Sequence, residues 1–187
     1  MDIATNPAAP SPEHLAQLDA ARVASKKIRR VIFVANFDGW GIAAFAAITL
    51  AFSLTTPSGI ILGLGMGYIA YRELSGAAAL KRLEPAACRR LAINQLIFSG
   101  LLILYFAWCL IDSLTTPTDP EILESGFLTA AQAHVAYAAF YATLMFASIL
   151  FQGGTAWYYA WRAKAIEKYL TATPQWIIDY QRGGGTL

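Results

Sequence analysis

The chain has 187 residues, 57% hydrophobic and 14% charged, with a mean hydropathy of +0.46 and a formal net charge of +2. Soluble domains carry about 25% charged residues, so an ordinary water-soluble fold is excluded, and no nucleic-acid partner is expected. The composition is that of an integral membrane protein, and the order of its apolar runs predicts an all-α, polytopic fold: four transmembrane helices as two antiparallel hairpins, with both termini cytoplasmic.

Residues 1–30 read as a cytoplasmic tail. Ser11-Pro12-Glu13 is an N-cap with proline at the first helical position, opening a short amphipathic helix that ends in the basic run Lys26-Lys27-Ile28-Arg29-Arg30. Such a run marks the membrane surface and attracts anionic lipid at the inner face. Residues 31–54 are too long for the apolar part of a signal peptide and lack a small-residue cleavage pattern, so they read as the first span.

The turn Ser53-Leu54-Thr55-Thr56-Pro57-Ser58 is too short to cross anything, so the second span must return antiparallel. It holds four glycines in nine residues, from Gly59 to Gly67. Glycine costs about 1 kcal/mol in a helix interior, but Gly59, Gly63 and Gly67 recur every fourth residue and form a bare stripe for helix packing. Gly65 lies off that row and offers a place to bend. Pro85 ends the helix, closing a first hairpin over residues 31–86.

The second hairpin covers residues 87–172. Cys88 and Cys109 share a helix and lie 21 residues apart, roughly 31 Å, far too distant for an intrachain disulfide. Ser113-Leu114-Thr115-Thr116-Pro117 repeats Ser53-Leu54-Thr55-Thr56-Pro57, and Arg89-Arg90 repeats Arg29-Arg30, at one shared offset of 60. Duplication of a hairpin and convergence on a common start and turn both account for this. Thr118-Asp119-Pro120-Glu121 carries a capping-box pattern. The fourth span starts near Gln132 and closes on the aromatic belt Trp157-Tyr158-Tyr159-Ala160-Trp161, followed by a charged helical stalk. Residues 173–187 read as an interfacial tail, with Trp176, Ile177 and Tyr180 against the membrane surface.

All 14 Lys and Arg then fall on one side, while the other side holds Asp112, Asp119, Glu121 and Glu124. By the positive-inside rule this places both termini in the cytoplasm of an inner or plasma membrane.

Motifs for known chemistry are missing: there is no phosphate-binding loop, His-Glu-x-x-His or Cys-x-x-Cys. His14 and His134 lie on opposite sides, and His134 with the outer acidic residues reads as a solvated loop, so no metal and no cofactor is expected. The candidate site is a polar cluster of Asn36, Asp38, Arg72, Glu73, Asn94, Gln95 and Gln152, in which similar depth pairs Asp38 with Arg72. The sequence supports a non-enzymatic membrane protein acting through helix packing, as a homo-oligomer or an accessory subunit of a membrane complex. Its alternative is a small ion or solute channel or transporter built on the inner-side cluster around Asp38 and Arg72.

Overall fold

The computed structural model describes residues 11–117 and 129–185. Among them the fold is all-helical, with six helices and no strand: α1 (Pro12–Ala24), α2 (Lys26–Phe52), α3 (Pro57–Lys81), α4 (Ala86–Thr115), α5 (Ala130–Ala172) and α6 (Gln175–Arg182). The proposed cap at Thr118–Glu121 and the outer acids Asp119, Glu121 and Glu124 lie outside the described residues.

Ser11 caps α1 as its sequence predicts, its hydroxyl accepting from the His14 N–H at 3.3 Å. The basic run, expected to end that helix, opens α2 instead, since Ser25 in αR geometry joins the two helices with hardly a break. Thr129 and Gln132 close a capping box at the start of α5. The 43 residues of α5 span roughly 65 Å, more than the roughly 30 Å of a bilayer core, and its far end, expected as a charged stalk, packs into the core through the buried Ile166 and Tyr169.

Three helices, α2, α4 and α5, are long and apolar enough to cross a membrane, rather than the four the sequence predicts. The exception is α3. Its 25 residues suffice in length, but its glycines, Tyr68, Tyr71 and the pair Arg72-Glu73 dilute its hydropathy. Its position supplies the reason. α3 packs against both α2 and α4, so much of its surface meets protein, while the face carrying Ile61, Leu64, Tyr68 and Tyr71 stays exposed.

The packing of α3 is built on glycine, though not on the stripe as predicted. Ideal Cβ atoms at Gly63 and Gly59 would come within 2.6 Å of Leu50 on α2 and 2.2 Å of Ser53 in the turn, whereas one at Gly67 would meet nothing within 4 Å. Every fourth residue drifts about 40° around a helix of 3.6 residues per turn, so by Gly67 the row has left the α2 seam. Gly65, off that row, receives Leu101 of α4, as Gly76 receives Leu91. Gly65 and Gly76 lie eleven residues, or about three turns, apart and share one face. Gly39 on α2 in turn receives Leu74 of α3.

At the opposite end α3 stops in a Schellman motif: Glu84 N–H donates to Ala79 O at 3.1 Å and Leu83 N–H to Leu80 O at 3.0 Å. The left-handed position usually given to glycine is held by Leu83 at φ 57°, whose side chain is buried in the core. Glu84 beyond it binds Arg90 at 2.6 Å and Arg82 at 3.2 Å. The Arg90 hydrogen bond, with help from Arg82, holds its carboxyl below the usual carboxylate range.

The C-terminal segment folds back onto the bundle. Ile177 and Ile178 of α6 are buried, Trp176 donates to Gln17 of α1 at 3.1 Å, and Tyr169 donates to Gln181 at 2.8 Å. Ile177, expected at the lipid surface, is therefore buried on protein, while Trp176 and Tyr180 stay exposed.

Candidate functional site

Each of the four long helices sends at least one polar side chain to a common place. The inward face of α3 runs through Ile69, Glu73, Gly76 and Leu80, spaced by three or four residues, and all four are buried. Glu73 sits on that line with no exposed surface. Its carboxyl accepts from the Tyr159 hydroxyl of α5 at 2.6 Å and from Asn94 Nδ2 of α4 at 2.7 Å. Asn94 Nδ2 also donates to Ile69 O at 3.1 Å. One residue further along α4, Gln95 Nε2 donates to Asp38 Oδ2 of α2. Asp38 is close enough to act through its charge on both Glu73 and Tyr159.

The expected Asp38–Arg72 pair does not form. Arg72 follows Ile69 by three residues but precedes Glu73 by one, and that step of about 100° turns it away from the inward line. Its guanidinium lies 5.9 Å from the ring centre of Tyr68 instead. Asn36 is likewise outside the network, donating to Ile32 O of its own helix at 2.8 Å. The structure brings together Asp38, Glu73, Asn94 and Gln95 of the predicted cluster.

Tyr159 completes it and was not foreseen. The sequence groups it with the aromatic belt, but Ala156, Tyr159, Ile166 and Tyr169 are all buried and recur at a spacing of 3, 7 and 3 residues. Trp157 and Trp161 occupy the other face, stacked on each other 5.8 Å apart and exposed. That heptad-like spacing was the available signal.

Among the described residues, both carboxyls are met by neutral donors alone. Those donors also fix the orientation of the two amides. Asn94 turns its nitrogen to the Ile69 carbonyl and the Glu73 carboxyl, and Gln95 turns its own to Asp38. Asn94 Oδ1 and Gln95 Oε1 are then left buried without a donor. An unsatisfied buried acceptor costs about 1–3 kcal/mol, and here two of them accompany two carboxyls.

Asp38 also borders a cavity of about 710 Å³ between α2, α3, α4 and α5, with Gln152 on its wall. From Asp38 to Ser53 the cavity follows fifteen residues of α2, roughly 22 Å. Phe37, Phe45, Phe98 and Tyr105 line much of it. α2 and α5 touch only lightly, so its wall is thinnest between them.

No protein family, no curated protein and no solved structure matches this chain. The fold and site together define its class: an all-helical protein with three helices apolar enough to cross a membrane and a polar network buried among them. Among the described residues no cluster of three or more His, Cys, Asp or Glu is arranged to hold a metal ion.

Proposed function

We propose that the chain is a four-span, non-enzymatic membrane protein that binds a small cation, a proton or an alkali ion, at the Asp38–Glu73 network and conducts or carries it. The carrying observation is the excess of acceptors. Two carboxyls without a cationic partner and two buried amide oxygens without a donor among the described residues make a site deficient in positive charge. If the network served only to lock the helices, apolar side chains of similar volume would do so at equal or better stability. Ionisable groups held inside a membrane mark ion and proton pathways.

In this reading α3 is the fourth span, packed against α2 and α4. Both termini are cytoplasmic and the membrane is an inner or plasma membrane, because the basic residues cluster at the end of the bundle where α1 and α6 meet. The cavity from Asp38 toward the turn at Ser53 is the outer approach to the site.

Reconstituted into liposomes with entrapped pH-sensitive or sodium-sensitive dye, the protein is expected to dissipate one of the two gradients. Asp38→Asn should reduce the flux to that of empty liposomes, and Arg72→Gln, off the network, should leave it intact. Wild-type flux no greater than that of empty liposomes for either ion, or full flux in a folded Asp38→Asn variant, would refute the reading.

A second reading, assembly with another copy or a membrane partner, is favoured by the α2–α5 seam. Gly41, Gly153 and Gly154 have nothing within 4 Å of an added Cβ, leaving bare backbone for a neighbouring helix.

A further inference from the structure

We propose that the cavity beside Asp38 is a binding site for an amphipathic primary amine, whose ammonium group sits on Asp38 and whose hydrocarbon chain runs outward toward Ser53. The inference rests on the reading of Asp38 as a cation-binding group, though not on conduction. Asp38 borders the cavity at one end, and no Lys, Arg or other carboxylate lines it. Its Oδ2 accepts from Gln95, while Oδ1 accepts no hydrogen bond among the described residues. A carboxylate at the end of an apolar space is costly to keep charged without a cation beside it. Gln152 stands on the same wall and offers an amide oxygen to a second N–H of the ligand.

The walls choose the rest of the ligand. Phe45, Ile48 and Phe52 are each more than half exposed, and Leu102, Tyr105 and Phe106 are half-buried, so there is hydrocarbon surface for a ligand to cover. An inorganic ion makes no use of that surface, and a neutral lipid or alcohol leaves Asp38 without a counter-charge. A diacyl phospholipid would bring a phosphate against the carboxylate. One cationic end and one apolar chain meet both demands. The volume of about 710 Å³ falls within the roughly 300–1,000 Å³ of small-molecule sites. Because α2 and α5 touch only lightly, such a ligand enters sideways from the bilayer in which it is already dissolved.

The test is binding of radiolabelled decylamine at neutral pH to the full chain in lipid nanodiscs, with empty nanodiscs as the blank and decanol as the neutral analogue. Decylamine should bind saturably and at least about tenfold more tightly than decanol, equivalent to about 1.4 kcal/mol. Asp38→Asn, which keeps an acceptor for Gln95, should erase that preference with its melting temperature unchanged. Leu102→Trp, which narrows the cavity and leaves Asp38 in place, should weaken decylamine by at least about fivefold, or about 1 kcal/mol. Asp112→Asn, altered outside the cavity, should bind as wild type does. Equal binding of amine and alcohol, equal loss in Asp38→Asn and Asp112→Asn, or full binding in Leu102→Trp would overturn the site and leave the ion flux standing. Asp38-dependent amine binding without any ion flux would uphold this site while refuting conduction.

Discussion

Glu73→Ala is expected to destabilise the protein by about 3–5 kcal/mol. The substitution leaves the buried Tyr159 hydroxyl without its acceptor, worth about 1–3 kcal/mol, and opens a cavity among packed helices at a further cost of about 2 kcal/mol or more. Asn94 keeps Ile69 O as a partner, which limits the damage on that side. Glu73→Gln should fall within about 1 kcal/mol of wild type, because the new amide can accept from Asn94 while the Tyr159 hydroxyl turns to accept from it. Thermal unfolding in detergent followed by circular dichroism measures both. Glu73→Ala melting with wild type would mean that the network does not hold the helices together. A stable Glu73→Gln is then the variant in which charge can be removed from the site without disturbing the fold.

The second large effect separates the glycines of one helix. A Cβ at Gly76 would lie 2.4 Å from Leu91 Cδ2 and 2.7 Å from its Cγ. Leu91 is 1% exposed and enclosed by the core, so it has no space into which to retreat. Gly76→Leu should therefore cost more than the 1–3 kcal/mol or so typical of overpacking and prevent a monodisperse preparation. Gly67→Ala should instead stabilise by up to about 1 kcal/mol through helix propensity, since nothing lies within 4 Å of the new Cβ. Size-exclusion profiles and melting temperatures of the pair decide the matter. Similar behaviour of the two would show that α3 is not wedged between α2 and α4 as described.

The contrast between Gly67 and Gly76 also shows where sequence reasoning runs out. Hairpin order was legible because Pro57 and Pro85 punctuate the chain and the connections between apolar runs are short. The residue types of the site were legible because Asp38, Glu73, Asn94 and Gln95 are conspicuous within apolar surroundings. Rotational phase was less so. Whether Arg72 or Glu73 faces inward depends on where α2, α4 and α5 sit around α3, and no single-helix pattern contains that. The same limit hid the role of Gly76, which lies outside the stripe yet faces α4, and drew Tyr159 into the aromatic belt beside Trp157. Those two rings are neighbours in sequence and look in different directions. The docking of α6 on α1 escaped for a related reason: Trp176 is compatible with a lipid surface, and its bond to Gln17 spans nearly the whole chain.

Under the four-span reading proposed above, the packing of α3 against α2 and α4 has a consequence for how the protein is made. A segment that is not apolar enough to partition into lipid by itself has to enter the membrane with a companion. α2 is synthesised first, is apolar enough to enter, and offers Gly39 to Leu74 while its Leu50 fills the space at Gly63. α3 should thus insert efficiently only as the second half of a hairpin, with Glu73 exposed to the bilayer until α4 and α5 arrive to meet it. A glycosylation-mapping assay should find the isolated α3 segment largely uninserted and the α2–α3 pair inserted; efficient insertion of α3 alone would contradict this order of assembly.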